Sequence, residues 1–197
     1  MMKKVLFVDY CIRREDSRSK QLADHFLAEL HNYGEYEIET LCLMDEKLSY
    51  FSDGFFQQRE RLLADGKMDH PRFRYAHQFA AADKIVIAAP FWDLSFPALL
   101  KVYIENLCVD GITFHTDEHG LHGLCKADHM VYLTARGGIY TDSPLEQGSR
   151  YLEQMAVFFG IEKYECIAAE GLDIGAWPVE ELMDKAKGKA AEAAKTF

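Results

Sequence analysis

Five strand-length, largely apolar runs recur along the 197-residue chain, at Val5 to Val8, Ile38 to Cys42, Ile85 to Ala89, Met130 to Thr134 and Tyr164 to Ala169. Several are apolar on consecutive residues instead of alternating, which is the pattern of strands covered on both faces in a parallel sheet. Helical patterns lie between them. Leu22, Phe26 and Leu30 share one face over about Ser19 to His31, and Phe73, His77 and Ala80 or Ala81 continue a second helix after Pro71. Pro97 opens a third through Leu107, Tyr151 to Phe159 gives a fourth and Val179 to Ala194 a fifth. Strand alternating with helix predicts one α/β domain over 1–197, a three-layer doubly wound sheet of five parallel strands in the order 2-1-3-4-5. In that order the winding reverses between strands one and three, so a ligand crevice is expected at their carboxyl ends. Two stretches escape the pattern. Residues 43–70 read as a short helix plus a loop over the site, and 111–126 as a small hairpin.

A formal net charge of -10 disfavours nucleic acid and anionic lipid as partners, so an anion site has to be a local exception. The five cysteines form no CxxC pair, and their odd number suggests neither a disulfide framework nor a zinc knuckle. A reducing cytoplasm fits best. With no apolar run near ~18 residues, no membrane span is expected.

The segment DYCIRREDSRSKQL runs from the first strand into the first helix and places Ser17, Arg18 and Ser19 at a helix amino terminus. Unpaired amides, two hydroxyls and a guanidinium can surround a phosphate there, although a serine at this place also serves simply as a cap. Neither G-x-G-x-x-G nor a Walker loop is present. Cys11 and Arg18 suggest a phosphatase-like thiolate loop, but the spacing is C-x6-R instead of the C-x5-R of such enzymes. A receiver domain is excluded because the third strand ends in Pro90, not in an aspartate.

After that strand Phe91, Trp92 and Asp93 form a loop that can lie along a flat heteroaromatic ring. After the fourth strand Gly137 and Gly138 allow close backbone approach, and their amides can donate to a carbonyl or a developing anion. Core aromatics and ordinary turn glycines would look the same in isolation. The three loops nevertheless end neighbouring strands and together outline one pocket.

The segments APFWDLSFPALLKVYIE, GITF and ARGGIY, in that order and spacing, resemble the FMN-dependent NAD(P)H:quinone oxidoreductases and azoreductases of the flavodoxin-like fold. The similarity covers nearly the whole chain, strongest from Lys84 to Gly138 and weakest from Leu43 to Arg74. It implies FMN as cofactor and NADH or NADPH as co-substrate. It also implies reduction of quinones or other small aromatic acceptors, azo and nitro compounds among them. The FMN phosphate then falls to Ser17, Arg18 and Ser19, and the isoalloxazine to Pro90, Phe91, Trp92, Asp93 and Leu94. The pyrimidine edge falls to Ala135, Arg136, Gly137 and Gly138, with Gly137, Gly138 and Tyr140 stabilising charge there. Trp92 and Phe91 are candidates for the acceptor slot, and the resemblance adds Phe114 and Phe159, although Phe159 reads equally as helix core. It also implies a homodimer with the site at the interface, where Phe159 would reach a partner's flavin. Asp93 stands where the family usually carries asparagine, and Ala135 where it carries serine.

A flavodoxin-type electron carrier, which has no nicotinamide site of its own, shares fold, cofactor and acidity and remains the alternative. His115, His119 and His122 cluster near Cys125 but lack the spacing of a metal motif, so no metal is expected.

Overall fold

The structure, a computed structural model, describes residues 2–197. Strands β1 (Lys3–Asp9), β2 (Tyr36–Cys42), β3 (Lys84–Ala88), β6 (His129–Ala135) and β7 (Lys163–Ala169) form a parallel sheet in the order β2-β1-β3-β6-β7. This is the expected 2-1-3-4-5 arrangement. A separate antiparallel hairpin, β4 (Phe114–Asp117) and β5 (Gly120–Gly123), occupies the predicted excursion.

Side-chain alternation divides the sheet between two helical layers. Val5, Phe7, Val86 and Val131 pack against α1 (Arg18–Leu30) and α6 (Val179–Ala194), through Leu22, Phe26 and Leu30 and through Met183, Ala186 and Ala190. Leu6, Val8, Ile85, Ile87 and Tyr132 face the other layer, made by α3 (Arg74–Ala81), α4 (Ala98–Leu107) and α5 (Gly148–Phe159). Burial on both sides explains why the central strands carry no polar alternation.

One helix start differs from expectation by about a turn, and the short helix expected in 43–70 is present. Helix α5 begins at Gly148, a turn's length before the predicted Tyr151, because the Glu146 carboxylate accepts the Ser149 amide (2.8 Å) and the Arg150 amide (3.3 Å) and so caps its start. The 43–70 stretch contains α2 (Asp53–Ala64), which seats Leu62 in a satellite cluster with Phe73, Ala76, Val109 and Ile112. This helix lies beside α3 and the approach to the hairpin.

Candidate functional site: a crevice at the carboxyl ends of the strands

The loops leaving β1, β3, β6 and β7 converge on one crevice. Its inner lobe, about 140 Å³, is lined by Ile12, Ser17, Arg18, Ser19, Pro90, Ala135, Gly137 and Asp173. A shallower outer lobe of about 380 Å³ adds Asp93, Leu94, Gly138 and Tyr140, and shares Phe91, Trp92, Gly137 and Asp173 with the first. Every expected residue from the three loops is therefore brought to one place, at the topological switch point. None of the residues lining either lobe comes from 43–70. A larger groove of about 770 Å³ follows the free edge of β7 between α5 and α6, away from the reversal in winding.

At the inner end Ser17 caps α1, its hydroxyl accepting from the Lys20 amide at 3.3 Å. The Ser19 hydroxyl accepts the Ala135 amide at 3.0 Å and so ties the helix start to the turn after β6. Ser19 keeps its own O–H to donate. Arg18 reaches across the crevice to Asp173, Nη1 to Oδ1 2.8 Å. First-turn amides, two hydroxyls and a movable guanidinium are the donor set that a phosphate dianion requires.

Cys11 does not belong to that set. Its buried thiol lies 3.7 Å from the Ala88 carbonyl, and burial, reinforced by the charge of Asp9, pushes its pKa far above the ordinary thiol range. A phosphatase nucleophile needs the opposite shift, so the thiolate-loop alternative fails on this structure.

The outer lobe is built for a flat ligand. Trp92 and Ser95 close a tight turn by exchanging two backbone hydrogen bonds of 2.9 Å, and the intervening Asp93 and Leu94 both adopt left-handed conformations (φ 51° and 68°). Two successive left-handed residues give a type I′ turn, normally filled by Asn and Gly, and here the cost falls on Asp and Leu. The Gln147 amide pins the turn through the Leu94 carbonyl at 3.0 Å. Trp92 is left 43 % exposed beside the opening.

Phe91 and Tyr140 pack against each other beside the lobe, ring centroids 4.6 Å apart and planes tilted by 44°. Gly137 and Gly138 are small for local reasons as well. A Cβ at Gly137 would lie 2.5 Å from Asp173 Oδ2, and one at Gly138 2.9 Å from the Tyr140 ring.

One expected side chain turns away from the crevice, and two implied for an interface site lie outside the crevice of their own chain. The Arg136 backbone borders the crevice, but its guanidinium, 2 % exposed, turns inward to Glu146 (3.1 Å) and Glu170 (3.0 Å). Phe159 and Phe114 lie at the other end of the sheet, because α5 runs back toward the amino ends of the strands and the hairpin precedes β6. Phe159 is 1 % exposed and packs on Phe79 at 5.0 Å as core. Phe114 is half-buried against Phe158 at 4.7 Å. Neither enters the crevice of its own chain.

Other lining residues escaped the sequence reading. Leu172 and Asp173 follow β7. Their signal is the placement of E-G-L-D after the fifth strand, at the same carboxyl edge as the other three loops but without a ligand-binding motif of its own. In the hairpin, His115 and His122 face Asp110 and Asp117, each at 3.0 Å. Among the described residues no group of three or more His, Cys, Asp or Glu is placed to hold a metal ion.

The slot fits FMN: phosphate donors occupy one end, and aromatic side chains with two close-approach glycines occupy the other. Comparison with known proteins agrees. A family model described as flavodoxin-like fold matches residues 3–194. An FMN-dependent NADH:quinone oxidoreductase 2 of Clostridium acetobutylicum is 42 % identical over 201 residues, covering all of both chains. An FMN-dependent NADH:quinone oxidoreductase of Clostridium perfringens is 39 % identical over 198 residues, again covering both chains fully. Among solved structures, an azoreductase of Bacillus anthracis superposes with a TM-score of 0.88 at 30 % identity over the full length of both chains. An FMN-dependent NADH-azoreductase of the same species, in complex with FMN, superposes at 0.86 with 25 % identity, covering 99 % of each chain. With the family model spanning nearly the whole chain and relatives this similar over their full length, the protein belongs to the flavodoxin-like family of FMN-dependent NADH:quinone oxidoreductases and azoreductases.

Proposed function

We propose that the protein is an FMN-dependent oxidoreductase that takes electrons from NADH and passes them to quinones or related small aromatic acceptors. The observation that carries this reading is the continuity of the two lobes, a phosphate-binding head that opens directly into an aromatic-walled slot. Bound FMN would supply the chemistry, accepting a hydride at one ring face and releasing the electrons to an acceptor at that face. Ser17, Ser19 and the first amides of α1 would hold the phosphate, with Arg18 turning from Asp173 to meet it. The Gly137 and Gly138 amides would donate to the pyrimidine edge and stabilise negative charge there. Trp92 and Leu94, exposed on their strained turn, would flank the ring and keep water from the face on which substrates stack.

A homodimer is part of the proposal. Val157, Leu121 and Leu124 stand exposed beside the half-buried Phe114 and Phe158, an apolar patch on the hairpin and the end of α5 that suits a second copy. From that patch a partner could bring Phe114 toward the slot, whereas Phe159 has no free surface to offer. Sedimentation showing only monomer would remove this element. A cytoplasmic setting is proposed from the five free cysteines. No described helix is long and apolar enough to cross a membrane.

Steady-state NADH oxidation by the FMN-loaded protein tests the main reading. Turnover is expected with a small quinone as sole acceptor. A flavodoxin-type carrier would be inert to NADH without a separate reductase, and inertness here would overturn the enzymatic assignment.

A further inference from the structure

We propose that Glu170, acting with Arg136, is a positioning residue that fixes the turn presenting the Gly137 and Gly138 amides to the flavin. The inference rests on the crevice being the flavin site and adds a role for a residue that touches neither cofactor nor substrate.

Glu170 follows β7, and its carboxylate gathers four donors. Oε1 accepts the amides of Tyr140 (2.8 Å) and Thr141 (2.9 Å) together with Arg136 Nη1 (3.0 Å), while Oε2 accepts the Thr141 hydroxyl (2.6 Å). Arg136 extends the clamp through Nη2 to Glu146, the carboxylate that caps α5. Its guanidinium carbon also stands 5.0 Å from the centre of the Phe91 ring. One buried cation therefore braces the loop after β3, the loop after β6 and the start of α5 against a residue of the loop after β7.

Backbone pairing completes the arrangement. The amides of Gly171, Leu172 and Asp173 donate to the carbonyls of Gly138 (2.9 Å), Arg136 (3.2 Å) and Gly137 (3.0 Å). With the carbonyls of 136–138 held from outside and the 140–141 amides held by Glu170, the peptides between them have little freedom to reorient. The Gly137 and Gly138 side of the turn is thereby aimed at the crevice before any ligand arrives, and such preorganisation is what makes amide donors effective.

Charge supports the same role. Burial alone would push the Glu170 carboxyl up, yet the Thr141, Tyr140 and Arg136 donors outweigh it and hold the group below the ordinary range. Glu170 thus stays ionised at neutral pH, as a four-donor acceptor must. A neutral amide has a single acceptor oxygen and would turn a donor N–H toward Arg136 or Thr141.

The test compares FMN and riboflavin binding, by quenching of flavin fluorescence, in the wild-type full-length chain, Glu170→Gln, Thr141→Val and Arg18→Ala. Riboflavin carries the ring without the phosphate, so it reports the outer lobe alone. For Glu170→Gln both affinities should fall by the same factor, ~10- to 100-fold for charge-assisted hydrogen bonds, with a change in the visible spectrum of the bound flavin. Thr141→Val, which removes one exposed hydroxyl donor, should do the same more weakly, by about 3-fold. Arg18→Ala should lower FMN affinity only. Unchanged affinities in Glu170→Gln with a lowered melting temperature would mean a merely structural carboxylate and would overturn the proposal, as would a loss confined to FMN. Failure of the wild-type chain to bind either flavin would instead overturn the flavin-site reading itself.

Discussion

On the proposed reading, Asp173 competes with the FMN phosphate for Arg18. The pair is 2.8 Å apart and largely exposed, with side-chain exposures of 36 % and 69 %, so the contact contributes little to stability. It does place a carboxylate where the proposed phosphate would enter. Replacing Asp173 with Asn is expected to tighten FMN binding about 2- to 5-fold and to leave riboflavin nearly unchanged, the ratio that a surface ion pair of under ~1 kcal/mol allows. Titration of both flavins checks this, and equal gains for the two would contradict it. His129 gives a second residue-scale expectation. Its burial, then the nearby Lys84 and Lys163, pull the imidazole down to about 4. The unfolded chain protonates this histidine near pH 6.5 while the folded chain holds it neutral, so acid favours unfolding between those values. Stability should fall by about 3 kcal/mol as pH drops from ~6.5 to ~4, a slope that His129→Gln removes. Urea titrations at pH 7 and pH 4 read it directly, and an identical slope in the variant would contradict it. Asp173 was legible only in its position after a strand, and the inward turn of Arg136 was not legible at all. Its partners Glu146 and Glu170 lie 10 and 34 residues away, and sequence does not say which side of a turn a guanidinium takes.

Single elements were easier to foresee when they carried an apolar face with one period. Helix α1 and strands β3 and β6 fell where Leu22, Phe26, Leu30 and the consecutive aliphatics implied, because burial on a known face leaves little choice of register. Helix α2 was harder. It buries Leu62 and leaves most of its length at the surface, which is why the 43–70 segment lacked a sustained period. The hairpin β4–β5 was foreseen as an excursion, but not what it rests on. Gly123 runs so close to the end of α5 that a Cβ there would overlap the backbone of Phe159 and Gly160. Gly123→Ala should therefore lift the hairpin from the sheet layer and cost about 2 kcal/mol, roughly a 5 °C drop in melting temperature for a chain of this size. An unshifted thermal transition would show that the two segments have room to part.

For the whole molecule, an acidic surface and the proposed anion-binding crevice have to coexist. A net charge of -10 repels a dianion at long range, and the head of α1 would overcome this by concentrating hydroxyls, amides and one guanidinium within a single helical turn. Fold, strand order and the three principal loops were legible because topology sends those loops to one edge of the sheet. The fourth loop, after β7, was missed for want of a ligand-binding motif, although its backbone supports the third. In V-F-F-G the sequence leaves Phe159 open between helix core and a partner-facing role, and within its own chain it is core while Phe158 beside it keeps partial exposure. The most direct measurement of the central claim, one crevice gripping phosphate at α1 and ring at the later loops, is the affinity of the wild-type chain for FMN set against riboflavin. FMN should bind about 100-fold more tightly, as several charge-assisted hydrogen bonds to one phosphate require. Equal affinities for the two flavins would contradict it.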